Sequence, residues 1–139
     1  MRATLAAVVL GVGLLLAAVP VAAHHAFAAE FDRDKPVTLK GTITMLEWMN
    51  PHVWIHMNVK GPDGAVVNWR IEEGAPNALY RLGWKKSSLV PGTEITVQGW
   101  LARDGSPTVN ADTVKLPDGT VFGAASSAPA RPKGEPSRY

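Results

Sequence analysis

The chain has 139 residues, no cysteine and a formal net charge of +2 at neutral pH. The missing cysteines exclude disulfides, thiolate metal sites and a cysteine nucleophile. The positive excess lies at the two ends: between Glu30 and Phe122, ten Lys/Arg stand against eleven Asp/Glu. With no basic stripe to neutralise phosphates, nucleic acid is not an expected partner.

Met1 and Arg2 form a short positive start, and Ala3 to Val19 are almost wholly apolar. Pro20 breaks that run, and Val21-Ala22-Ala23 supplies the small residues a signal peptidase reads. A signal peptide over 1–23 is therefore expected, with His24 as the new N-terminus of a periplasmic or secreted chain that keeps no membrane segment. A cut at Ala26-Phe27-Ala28 is one alternative. A retained anchor is another, although the apolar run is near the lower length limit for spanning. Residues 24–35 then read as an N-terminal extended segment.

From Val37 the sequence VTLKGTITMLEWM alternates and is rich in β-branched residues. Val37, Leu39, Ile43 and Met45 share one face, whereas Leu46 and Trp48 belong to the other. A change of face within a strand predicts a bulge or a bend. Asn50-Pro51-His52 turns the chain, because proline restricts its own backbone and that of the residue before it.

VWIHMNV follows, and after Gly61-Pro62-Asp63-Gly64-Ala65 comes VVNWRIEE. Pro-Asp-Gly suits a three-residue hairpin loop with Gly64 left-handed. Gly61 then faces Ala65. The outward pairs become Asn58 with Asn68, His56 with Arg70 and Trp54 with Glu72. The inward pairs become Val59 with Val67, Met57 with Trp69 and Ile55 with Ile71. A slip of one residue would scatter the apolar set over both faces.

Pro76 to Leu82 reads as a short helix, with Pro76 in its first turn and Gly83 as its stop. Pro91-Gly92 leads into the strand TEITVQGWLA. Asp104-Gly105-Ser106-Pro107 turns into TVNADTVKL, and Pro117-Asp118-Gly119 forms a small hairpin with Thr120-Val121-Phe122. The expected class is all-β with one short helix. A long bent first strand, and a helix between the third and fourth strands, predict a five-stranded OB-fold-like Greek-key barrel over 36–123. A β-sandwich is the alternative. Residues 124–139, rich in Ala, Ser and Pro, are expected to be a disordered tail.

The pattern HHAFAAEFD, VTLKGTITMLEWMNPHVWI, PDGAVVNWRIE and GWKKSSLVPGTEITVQGWLARDG resembles a family of secreted bacterial proteins known only as a domain of unknown function. The resemblance runs from His24 to about Phe122 and rests on HHxF, NPHxW and GW…PGT…G. It implies export and a small β-barrel, and it carries no established activity.

Two candidate sites follow. If His24 starts the mature chain, its α-amine and imidazole sit on one residue, and His25 adds a second imidazole. With His52 from the first inter-strand loop, such a nitrogen set suits copper, the candidate cofactor. The His24–Pro36 segment could reach about 40 Å at roughly 3.3 Å per residue. The bland alternative is that the two terminal histidines are solvated and His52 only stabilises its turn.

The second site is metal-free. Trp54, His56, Asn68 and Arg70, with Glu72 beside them, are expected on the outer face of the second and third strands. OB-folds bind ligands on that face. The ligand would be a small molecule, a glycan or an envelope protein. Neither site requires catalysis. Ser87-Ser88 lacks a histidine at motif spacing, and Glu72-Glu73 would point to opposite faces of a strand.

Overall fold

The structure is a computed structural model, and it describes residues 27–125 and 127–128. Six strands and a short helix form the domain: β1 (Phe31–Glu47), β2 (Trp54–Lys60), β3 (Val66–Glu72), α1 (Pro76–Arg81), β4 (Glu94–Ala102), β5 (Thr108–Lys115) and β6 (Val121–Gly123). β1 pairs antiparallel with both β2 and β4, and β4 pairs with β5. A parallel pairing of β3 with β5 closes the ring. This ring, with the helix between its third and fourth strands, is the OB-like barrel.

The β2–β3 hairpin has the expected register at every pair, from Trp54 with Glu72 to Val59 with Val67. Gly61 N–H donates to the Ala65 carbonyl at 2.7 Å, and Gly64 has φ +85°. Alternation then sends Ile55 and Met57 fully into the core, while Trp54 and His56 stay half-buried outside. The mid-strand change of face is also present. It falls earlier than the alternation predicts: β1 shifts register against β2 between Ile43 and Met45, so Met45 turns outward instead of sharing the face of Ile43, and Leu46 turns toward the core.

Gly41 is where β1 crosses close over β2: a Cβ there would stand 2.3 Å from the Asn58 carbonyl oxygen. The main core gathers Ile43, Ile55, Met57, Leu79, Trp84 and Val97, with α1 plugging one end of the barrel. Trp84 Nε1–H donates to the Gly123 carbonyl at 2.8 Å, and its ring centroid lies 4.6 Å from that of Phe122.

Both ends of the domain depart from the sequence expectation. β1 begins at Phe31, well before Val37, and residues 27–30 are helical rather than extended. Phe27 and Phe31 are four residues apart, the spacing that brings side chains together on a helical turn. They pack on Trp100 and Ala102 as a second, smaller apolar cluster outside the barrel. At the other end, Ala124 is buried in the main core, accepts from Gly74 N–H at 2.7 Å and donates to the Asp112 carbonyl at 2.9 Å. The folded unit therefore extends past residue 123.

Candidate functional site

Arg70, on the outer face of β3, lays its guanidinium over the Trp54 ring at 4.3 Å from the centroid. The two residues are diagonal neighbours across the hairpin, since Trp54 opposes Glu72 and Arg70 opposes His56. Arg70 N–H donates to the Pro107 carbonyl at 2.9 Å, which ties β3 to the β4–β5 loop. Above Trp54 and Arg70 lies an open pocket of about 570 Å³.

One wall of the pocket is the β4–β5 loop. Asp104 Oδ1 accepts from Ser106 N–H at 2.9 Å, and that bond lowers the Asp104 pKa and keeps it ionised. Ser106 Oγ–H donates to Thr108 Oγ1 at 3.1 Å, so two hydroxyls stand together on the lining. Next to it the segment 29–31 forms a second wall and brings Glu30 to the pocket. Arg103 holds that wall in place. Its Nε–H donates to the Ala28 carbonyl at 2.9 Å, its backbone N–H donates to the Glu30 carbonyl at 2.9 Å, and its Nη1 lies 3.6 Å from Asp32 Oδ2. Phe27 and Phe31 anchor the segment from below, with ring centroids 5.7 Å apart.

Of the expected outer patch, Trp54 and Arg70 line this pocket, whereas His56 and Asn68 do not. His56 Nε2 lies 2.6 Å from Glu47 Oε1. Asn68 Nδ2–H bonds to Asn58 Oδ1 at 2.8 Å and to Thr44 Oγ1 at 3.2 Å. Glu72 is not on an open face: it is buried, and its Oε1 meets His52 Nδ1. Closure of the barrel explains this, because β5 brings Asn110 directly opposite Glu72.

Burial raises the Glu72 pKa, and the nearby negative charge of Glu30 adds to it. His52 and a hydrogen bond from Asn110 pull in the other direction. Glu73 is buried more completely, and neither of its carboxyl oxygens has a partner among the described residues. His24 and His25 lie outside the described residues. Among the described residues, no group of three or more His, Cys, Asp or Glu could hold a metal ion. No helix among them is long and apolar enough to cross a membrane.

Residues 12–111 match the family described as "Family of unknown function (DUF6152)", and the chain belongs to that family. No curated protein matches it. Among solved structures it is similar to the N-terminal domain of PriB protein from Thermoanaerobacter tencongensis, described as dimeric. The match has 19% identity and a TM-score of 0.40, over 60% of this chain and 97% of that one. The fold assignment rests on the strand order and pairings above.

Proposed function

We propose that this is an exported small-ligand-binding module, and that its site is the pocket over Trp54 and Arg70. The carrying observation is Arg70 itself. Its guanidinium is held by the indole face at 4.3 Å, lines the pocket, and has no carboxylate partner among the described residues. Stacking on a π face fixes the plane of a guanidinium and leaves its N–H donors available, and a carboxylate or phosphate accepts two of them at once. The volume lies within the range of small-molecule sites, roughly 300–1,000 Å³.

Acetate, benzoate, citrate and phosphate, titrated against tryptophan fluorescence, test this reading whatever the natural ligand is. At least one anion is expected to respond. Arg70→Gln then weakens it at least about tenfold, as loss of a hydrogen bond to a charged group implies. Asn68→Ala leaves the response in place. An undiminished response in Arg70→Gln refutes the assignment.

A second reading, copper binding or handling through His24, His25 and His52, is favoured by the His52–Glu72 contact. Metal-ligating histidines usually give their other ring nitrogen to a carboxylate, which sets the tautomer and orients the ring. His52 gives Nδ1 to a buried carboxylate, while its side chain remains 38% exposed. Glu30 is close enough to Glu72 for its charge to be felt there. His24 lies three residues before the helical turn that starts at Phe27, a reach of roughly 10 Å when extended. Under this reading, an extra residue ahead of His24 weakens Cu(II) binding at least about tenfold by calorimetry. Equal affinity with and without it excludes an amine-anchored site.

A further inference from the structure

We infer that the pocket takes a small zwitterion, an α-amino acid or the like, with Arg70 holding its carboxylate and Glu30 its ammonium group. This rests on the pocket reading above and specifies the ligand's chemistry.

The inference comes from the charges that the fold leaves uncommitted. Four charged side chains line the pocket: Arg70, Arg103, Glu30 and Asp104. Arg103 is engaged with the Ala28 carbonyl and with Asp32. Asp104 closes its own turn by accepting from Ser106 N–H. Among the described residues, the Arg70 guanidinium is engaged by the Trp54 ring alone. Glu30 has no ion pair or side-chain hydrogen bond among them. One cation and one anion are therefore open to a ligand. They arrive from different parts of the chain, Arg70 on β3 and Glu30 on the segment that Arg103 clamps to the end of β4.

A ligand with a single negative charge pairs with Arg70 alone and meets repulsion from Glu30, so it binds more weakly than one that pairs with both. A nucleic-acid strand meets the same repulsion many times over, with one open cation to offset it. A neutral ligand leaves both open charges without a partner. A molecule carrying a carboxylate and an ammonium pairs with both. The Ser106 and Thr108 hydroxyls add neutral donors and acceptors on the same lining.

The test titrates the mature chain, by calorimetry, with L-alanine, L-alanyl-L-alanine, the N-acetylated dipeptide and the dipeptide amide. At least one of the two zwitterions is expected to bind at least about tenfold tighter than either blocked form, since each block removes one charge-assisted contact. The tighter of alanine and the dipeptide tells whether the natural ligand is a free amino acid or a peptide. Glu30→Gln should erase discrimination against the acetylated form, and Arg70→Gln should erase discrimination against the amide. If the acetylated dipeptide binds as tightly as the free one, the zwitterion inference is overturned and an anion site at Arg70 remains. If no probe gives heat, the inference is equally overturned. The anion titration above then decides separately whether the pocket binds at all.

Discussion

Trp84→Ala leaves most of the domain unfolded at room temperature. Trp84 is 1% exposed and sits where α1, β6 and the barrel interior meet. Truncating a buried Trp costs about 3–5 kcal/mol through lost transfer energy and a residual cavity. The Gly123 carbonyl also loses its donor in a part-buried hydrogen bond, which adds roughly 0.5–1.5 kcal/mol. A domain of this size has a total stability near the low end of about 5–15 kcal/mol, and no disulfide can offset the loss because the chain has no cysteine. Trp84→Phe keeps most of the volume and should cost about half as much. Urea unfolding followed by far-ultraviolet circular dichroism measures both. A loss under about 1 kcal/mol for Trp84→Ala would contradict the packing described.

Glu73→Met has the opposite sign and depends on pH. Burial first, and the negative charge of Glu72 second, hold the Glu73 carboxyl well above its ordinary value of 4.5. The folded chain therefore keeps a proton that the unfolded chain releases. The associated stability is fully present below the unfolded value and is lost as pH rises through the folded one. Methionine has similar volume and no polar atoms to satisfy. At pH 8 the variant gains roughly 1–3 kcal/mol, the usual cost of burying an unpaired polar group. The melting temperature should rise about 4–8 °C for each kcal/mol. At pH 4 the gain shrinks, because the wild-type carboxyl is then largely protonated in both states. Thermal melts at the two pH values check this, and equal destabilisation at both would show that Glu73 has a polar partner.

The hairpin was legible because its determinants are local. A Pro-Asp-Gly loop and a period of two fix every pair from Lys60 back to Trp54. The existence of a bulge in β1 was legible for the same reason, but not its position: the sequence groups Met45 with Ile43, whereas the inserted residue lies between them and turns Met45 outward. The pocket is different. Two of its walls depend on contacts far apart in sequence: β3 beside β5, and the segment 27–31 beside the end of β4. Glu72 faces outward on an isolated hairpin. It becomes buried only when Asn110 and His52 close over it. A sequence signal for the N-terminal wall did exist. Phe27 and Phe31 share a helical spacing, and Trp100 falls on the opposite face of β4 from Ile95 and Val97. Nothing in the spacing, however, says that these aromatics meet.

The central claim, that ligands enter over Trp54 and Arg70, is tested most directly by an amide-resolved NMR titration of the chain from residue 24 onward with acetate and L-alanine. Shifts should gather on the Trp54 indole, Arg70, Ser106 and Thr108, and should vanish in Arg70→Gln. Shifts that collect on another face, or that survive the loss of the guanidinium unchanged, would contradict it.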